Sequence, residues 1–299
     1  MIYIDINKLN IIEAREIHIK ELTPKILKKV SESQFQEIKD FLTEERIKHI
    51  LEDFPNELYQ IHCDFSSIIN NVSITTALRK IIDYDNFIEK KKTMYDAYDL
   101  AEKLDIPTCP YCERMYTKTV ISEKGKKIVR PDFDHWFPKS KYPLLALSFY
   151  NLIPSCNVCN SGLKGDDAFE LGSLFHPYHK AEGFKYTFSY DLDAYQKPRV
   201  KILAEKGISK DSVKAFELEE IYKTHQDEVE DLLKIRQAYS ENYIEILNRT
   251  LEGANLTREE VYRLVFGAHL AEDEFDRRPL SKIKRDILTE LRIVKPEMK

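Results

Sequence analysis

The sequence predicts an α+β protein in which a small centre of short strands and loops lies between two helical regions. Apolar side chains recur at helical spacing among many charges before residue 105 and again from about Ser209. Between these stretches the chain is rich in aromatic residues, prolines and turn signals, and it contains two Cys-x-x-Cys pairs. We therefore divide the chain into a helical region at 1–105, a core at 106–185 and a mainly helical region at 186–299.

The composition is that of a soluble globular protein. Of the 299 residues, 32% are charged and 42% are apolar, and the mean hydropathy is -0.46. No apolar run approaches the roughly 18 residues that a transmembrane helix needs. The amino terminus has no basic segment followed by an apolar stretch, so we expect no signal peptide, no membrane contact and a cytoplasmic location.

Local patterns predict the first elements. A helix is expected from Asn86 to Leu104, and it should end there because the residue before Pro107 disfavours the helical conformation. A hairpin is expected next, with strands at 116–120 and 127–130 on either side of a turn at Gly125.

Further elements are expected in the last region. Alternating aromatic residues predict strands within 185–203. Helices are expected from Ser212 to Leu251 and from Lys282 to Ile293. A capping box that begins at Thr257 should open another helix between them.

Basic residues concentrate in the centre of an otherwise acidic chain. Between Cys109 and Gly165 nine basic residues face four acidic ones, a net charge of +5, whereas the whole chain carries -5 and the remainder therefore -10. Such an island predicts a local site for a polyanion. Chance clustering in a surface hairpin is the alternative.

The two Cys-x-x-Cys pairs predict a zinc site. Cys109, Cys112, Cys156 and Cys159 have the spacing at which each pair can reach one ion, and four thiolates make a closed tetrahedral site. The 43 residues between the pairs are long enough to contain a whole motif. Two alternatives are four reduced cysteines without a ligand and a thioredoxin-like redox role for the first pair.

That intervening segment places a carboxylate and an imidazole side by side at Asp134 and His135. On an extended strand neighbouring side chains point to opposite faces, so one can bind a metal while the other faces a water. Asn151 can orient an imidazole, Asn160 offers a hard oxygen ligand for Mg²⁺, and Lys164 can meet a phosphate. Each of the last three also has a simpler interpretation as a turn residue or a surface lysine.

Together these residues resemble the His-Asn-His (HNH) nucleases, the ββα-metal endonucleases. The motifs that carry the resemblance are CPYC, DHWFP, YNL and CNVCN followed by a lysine. It implies that His135 is the general base, Asp134 a ligand of the catalytic metal, Asn151 the residue that orients the base and Asn160 the second metal ligand. It also implies a small ββα-metal core whose four cysteines hold a structural zinc ion.

A closer resemblance covers about Cys109 to Tyr178. The string DHWFPKSKYPLLALSFYNLIPSCNVCNSGLKGDD is similar to nucleases that are paired with an ATPase in bacterial anti-phage systems of the Septu type, some of them attached to retrons. Those relatives often have Glu where this chain has Asp134, and both residues bind metals. The resemblance does not extend clearly to residues 1–100 or 205–299.

The implied reaction is phosphodiester hydrolysis. His135 would accept a proton from water, and Mg²⁺ or Mn²⁺ on Asp134 and Asn160 would stabilise the leaving 3′ oxygen. A His135→Ala variant is expected to stay folded and to lose cleavage. His176 and His179 are expected to lie in a turn, with a place in the metal site as the alternative.

Substrate and partners follow from the same resemblance and from charge. We expect DNA as the substrate, within a multi-subunit defence complex; RNA such as tRNA is the first alternative, because these residues do not exclude ribose. A catalytically silent zinc module that binds nucleic acid or a partner protein is the second. The acidic helical flanks make poor DNA clamps, so they are expected to bind a protein partner such as an ATPase subunit, or to form a homodimer.

Overall fold

The computed structural model describes residues 1–68, 71–89, 94–165, 172–238, 249 and 256–294. These parts consist of helices and three small antiparallel sheets of two strands each, which confirms a mixed α+β chain. The first helices are α1 (Leu9–Ser31), α2 (Gln36–Phe41), α3 (Glu44–Glu52), α4 (Pro55–Ile68), α5 (Val72–Ile81), α6 (Tyr84–Ile88) and α7 (Ala97–Leu104). The central elements are β1 (Val120–Ile121), β2 (Lys127–Val129), β3 (Asp132–His135), β4 (Leu152–Ser155) and a π-helix (Val158–Lys164). The last elements are β5 (Tyr186–Leu192), β6 (Pro198–Ala204), α8 (Ile208–Ala215), α9 (Leu218–Tyr222), α10 (Gln226–Ala238), α11 (Arg258–Phe266) and α12 (Ser281–Glu290).

The single helix expected at 86–104 is wrong, because the structure has two helices there, α6 and α7. Asp96 starts the second one: its carboxylate accepts a hydrogen bond from the Tyr98 N–H (2.8 Å), and Asp99 accepts one from the Asp96 N–H (2.9 Å). Asp105, which is left-handed with a φ of 44°, ends α7 two residues before Pro107. Residues 90–92, three consecutive lysines within the predicted helix, lie outside the described residues.

One of the three sheets is the hairpin that the sequence predicts, and a second contains the strands expected within 185–203. β1 and β2 flank the turn at Gly125, although β1 is shorter than expected because Tyr116 pairs with Thr108 instead. β5 and β6 pair over seven residues each. Tyr186 and Phe188 on β5 are buried, as their alternation predicts.

The third sheet carries the central motif. β3 pairs antiparallel with β4, so that Asp134 lies opposite Ile153 and His135 opposite Leu152. The π-helix begins three residues after β4 ends, at Val158. Neighbouring side chains on β3 leave the strand on opposite faces, and both of these faces are buried.

One hydrophobic core runs through all three regions of the chain. The Ile2 N–H donates to the Pro110 carbonyl (2.8 Å), and the Leu280 N–H donates to the Glu113 carbonyl (2.8 Å). Trp136 in the centre is fully buried. Both flanking regions therefore pack directly against the segment that holds the predicted site.

The C-terminal helices differ in length from the expectation. Instead of one helix from 212 onward, α8, α9 and α10 follow one another, and Glu217, left-handed with a φ of 46°, separates the first two. The rest of that predicted helix, at 239–248 and 250–251, lies outside the described residues. The capping box at Thr257 is confirmed, and α12 confirms the last helix. Within the described parts, no helix combines the length and the apolar character that crossing a membrane requires.

Candidate functional site

The four cysteines meet in one cluster. Cys109 and Cys112 lie in a tight turn after α7, in which the Glu113 N–H donates to the Cys109 carbonyl (2.8 Å). Cys156 follows β4, and Cys159 lies in the π-helix. The four Sγ atoms lie within 4.8 Å of one another, and all four residues are buried.

This cluster fits a zinc ion. Four thiolates at about 2.3 Å from zinc in a tetrahedron lie about 3.8 Å apart, and the Sγ atoms of Cys112 and Cys156 are 3.9 Å apart. The Arg114 N–H points at the Cys112 Sγ (3.5 Å) and can stabilise a thiolate there. Burial raises the pKa of the Cys109 thiol, whereas hydrogen bonds from neighbouring thiols lower the pKa of Cys112. Four thiols in this space cannot all ionise without a cation, so the cluster is compatible with a structural zinc site.

Asp134 lies on β3, next to the four-cysteine cluster. Its Oδ2 accepts a hydrogen bond from the Tyr111 hydroxyl (2.6 Å), and Tyr111 stands between Cys109 and Cys112 in the chain. Its Oδ1 lies 3.2 Å from the Lys164 Nζ. Burial raises the pKa of Asp134, and the lysine and the tyrosine partly oppose that rise.

Lys164 is buried at the end of the π-helix. Its side chain is 0% exposed, and besides the Asp134 contact its Nζ donates to the His135 carbonyl (2.6 Å). The alternative that Lys164 is a surface lysine is therefore wrong. The structure directs its ammonium at the Asp134 carboxylate and the β3 backbone, whereas the sequence suggested a phosphate as its partner.

His135 lies on the opposite face of β3 from Asp134. Its Nε2 is 3.0 Å from the Ala146 carbonyl oxygen. Because a carbonyl only accepts, Nε2 carries the proton and Nδ1 keeps its lone pair. Burial lowers the pKa of His135 to about 4, so the ring is neutral at pH 7. The Tyr84 ring packs against it at a centroid distance of 4.4 Å, nearly perpendicular.

Asn151 holds the loop that connects β3 with β4. Its Oδ1 accepts from the Phe137 N–H (2.7 Å), and its Nδ2 donates to the carbonyls of Phe137 (3.2 Å) and Leu145 (2.8 Å). Leu145 precedes Ala146, whose carbonyl holds His135. Asn151 therefore bonds to the backbone on both sides of the loop, and any effect on the imidazole passes through that loop.

Asn160 lies in the π-helix between Cys159 and Lys164 and is partly buried. Its backbone N–H donates to the Cys156 carbonyl (3.0 Å), and its carbonyl accepts from the Gly165 N–H (2.8 Å). Among the described residues, its carboxamide has no hydrogen-bond partner. That side chain is available to a ligand.

The two later histidines form the expected turn. The His179 N–H donates to the His176 carbonyl (3.0 Å), and His179 is exposed. His176 is buried, lies edge-on to Trp136 at 4.8 Å, and accepts from the Tyr178 N–H (3.2 Å) through Nδ1. Burial lowers the pKa of His176 to about 3.

Sequence reasoning missed three residues that act on His135 through a ring contact or through their charge. Lys139 is exposed, lies 4.6 Å over the Tyr84 ring and donates to Asp85 Oδ1 (2.9 Å). Besides burial, the charge of Lys139 lowers the pKa of His135 and that of Asp85 raises it. A signal for Lys139 existed, since it follows His135 by four residues in the basic segment; none existed for Tyr84 and Asp85, which come from α6.

The donor atoms at Asp134 do not match the coordination that Mg²⁺ and Mn²⁺ require. These ions take oxygen ligands, and Mg²⁺ keeps several waters in its shell. Both carboxylate oxygens of Asp134 are buried and bonded, one of them to an ammonium. Asn160 is open to a ligand, but Asp134 in this arrangement does not fit a hydrated divalent ion.

Comparison with known proteins assigns no family. No family model matches the chain, and neither a curated protein nor a solved structure is significantly similar to it. A function therefore has to follow from its own residues.

Proposed function

We propose that this chain is an endonuclease of the HNH type that hydrolyses phosphodiester bonds, with a ββα-metal core formed by β3, β4 and the π-helix. The observation that carries the proposal is the state of His135. Its ring is neutral, its Nε2–H is held by the Ala146 carbonyl, and its Nδ1 lone pair remains to accept a proton. A base of this kind beside an exposed lysine suits hydrolysis of a phosphate ester.

In the proposed reaction, His135 Nδ1 takes a proton from a water molecule as the water oxygen attacks phosphorus. The bond from phosphorus to the 3′ oxygen breaks, and that oxygen leaves with the electron pair. The Ala146 carbonyl keeps the ring oriented and stabilises the imidazolium that forms. The exposed Lys139, whose charge acts on this ring, would contact a phosphate oxygen.

The resemblance also implies that Asp134 and Asn160 would hold Mg²⁺ or Mn²⁺. When bound, such an ion would stabilise charge on the phosphate and on the leaving oxygen. None of the steps above depends on it, because Lys164 already compensates the Asp134 carboxylate.

DNA is the proposed polymer, and RNA such as tRNA remains the alternative substrate. The basic segment around His135 favours a polyanionic substrate. The acidic flanks favour either a protein partner, such as an ATPase subunit of an anti-phage complex, or a homodimer. A cytoplasmic location belongs to the same proposal. A silent zinc module is the competing function, and it would need neither the neutral His135 nor the open Asn160.

Cleavage by the zinc-loaded full chain tests the proposal. Wild type, His135→Ala and His179→Ala are offered supercoiled plasmid, linear DNA and total tRNA with Mg²⁺, with Mn²⁺ and with EDTA. The exposed His179 is the matched control. Because the His135 ring is buried, zinc content and thermal melting must first establish that its variant is folded.

We expect His135→Ala to lose cleavage and His179→Ala to keep it. A folded His135→Ala variant that cuts at the wild-type rate would refute the proposed base. Cleavage of tRNA alone would move the substrate to RNA. Nucleic-acid binding without cleavage, also after a co-purified partner is added, would favour the silent module.

A further inference from the structure

The Asp134 carboxylate already has a cation. The Lys164 ammonium lies 3.2 Å from its Oδ1, and the exposed fractions of the two side chains are 0% and 2%. The Tyr111 hydroxyl occupies Oδ2 at 2.6 Å. These are the oxygen atoms that a divalent ion would need in the proposed nuclease.

Two cations cannot share this carboxylate at low cost. A buried charge is stabilised by one opposite charge, and a second cation at similar distance would be repelled by the first in surroundings with little water to screen them. The ammonium also donates to the His135 carbonyl (2.6 Å), which holds it beside β3.

We propose that Lys164 is the resident cation of the Asp134 site and that its ammonium excludes a divalent ion from this carboxylate. The proposal rests on the proposed function for the identity of that ion, Mg²⁺ or Mn²⁺. The free protein should therefore bind the ion weakly, and removal of the ammonium should open the site to it.

Mn²⁺ binding tests this without any cleavage assay. Free Mn²⁺ is titrated by electron paramagnetic resonance against the zinc-loaded full chain, since thiolates select zinc over manganese. The variants are Lys164→Met, the double variant Asp134→Asn with Lys164→Met, and Lys141→Met, which removes an exposed lysine of the β3–β4 loop. Melting curves with and without Mn²⁺ accompany each titration.

We expect Lys164→Met to bind one Mn²⁺ per chain at least tenfold more tightly than wild type. The double variant should lose this binding, and Lys141→Met should match wild type. If Lys164→Met is too unstable to titrate, Mn²⁺ should raise its melting temperature more than that of wild type, because the ion replaces the missing charge.

Mn²⁺ affinity of Lys164→Met equal to or below that of wild type would overturn the proposal, and so would a gain that survives in the double variant. The outcome is independent of the nuclease assignment. Cleavage that depends on His135, together with an Mn²⁺ affinity that Lys164→Met does not raise, would leave the function standing while this inference fails. Tighter Mn²⁺ binding by Lys164→Met in a protein that cleaves no nucleic acid would support this inference while the proposed function fails.

Discussion

Replacing Asn151 by alanine removes the connection that holds the β3–β4 loop together. The wild-type carboxamide accepts from the Phe137 N–H and donates to the Phe137 and Leu145 carbonyls, at 2.7, 3.2 and 2.8 Å. The residue is 1% exposed, so water does not replace these bonds at the surface. The Asn151→Ala variant therefore leaves the N–H and the carbonyl of Phe137 without these partners inside the protein, and the Leu145 carbonyl keeps only its bond from the Ser148 N–H (3.1 Å).

The loss of these bonds sets the size of the effect. Each of the two buried groups left without a partner costs about 1–3 kcal/mol, so we expect a loss of about 3–5 kcal/mol in the free energy of unfolding. For a chain of 299 residues that corresponds to about 5–8 °C in Tm. The loop also carries the Ala146 carbonyl that orients His135. In the proposed nuclease, kcat should therefore fall about 100-fold even in the folded fraction, as expected for a misplaced base.

Urea unfolding followed by circular dichroism measures the first effect, and cleavage well below the melting temperature measures the second. Asn157→Ala is the matched control, because Asn157 is exposed and bonds only to the side chains of Asp132 (3.1 Å) and Ser161 (3.4 Å). We expect it to change stability by less than about 0.5 kcal/mol. An Asn151→Ala variant no less stable than Asn157→Ala would refute the structural role assigned to this carboxamide.

Three further outcomes are expected. Cys159→Ser should lower the zinc content below one ion per chain and the free energy of unfolding by about 5 kcal/mol or more, since structural zinc contributes about 10–16 kcal/mol in small zinc domains; an unchanged zinc content by plasma mass spectrometry would contradict this. Tyr111→Phe should cost about 1.5–3 kcal/mol in urea unfolding, because the buried Asp134 carboxylate loses its hydroxyl donor; no measurable loss would count against that bond. The His135 ring must be unprotonated to act as a base and its pKa is about 4, so kcat/KM should stay level from pH 8 to about pH 5 and fall below that. An acid limb centred near pH 6.5 would show that the ring is not desolvated.

The same depressed pKa makes a stability prediction of known sign. An unfolded histidine takes up its proton near pH 6.5, whereas His135 and His176 do so near pH 4 and 3. The unfolded state therefore binds more protons between these values. Their contribution to stability is fully present above about pH 6.5 and is lost as the pH falls through the folded values.

Local patterns predicted much of this fold because their physical causes are local. The capping box at Thr257 depends on residues three apart, and alternation along β5 depends on the pleat of one strand. The helix expected at 86–104 was wrong although a local signal was present: Asp96 and Asp99 form a capping box in its interior. Apolar periodicity outweighed that signal in the prediction.

The site was predictable in its residue types but not in its partners. The spacing of the cysteines was enough to predict that all four meet, since two Cys-x-x-Cys pairs in one chain are typical of a shared metal site. The burial of Lys164 could not be read from the sequence, because lysines are mostly exposed and its partner lies 30 residues away. For Asn151, order along the chain indicated a role near His135, but only the structure shows that its bonds go to the loop backbone.

The four-cysteine cluster and the Asp134 carboxylate are connected through shared chain segments. Each partner of Asp134 is carried by a segment that also supplies two of the clustered cysteines, or follows one closely: Tyr111 lies between Cys109 and Cys112, and Lys164 follows Cys159 by five residues. An ion that ties the two segments together therefore fixes the two groups that hold the carboxylate. Loss of the proposed zinc ion should therefore loosen the hydrogen bond and the ion pair at Asp134. The four cysteines would then influence the charge and the bonding of a buried acid on the candidate catalytic strand, in addition to general stability.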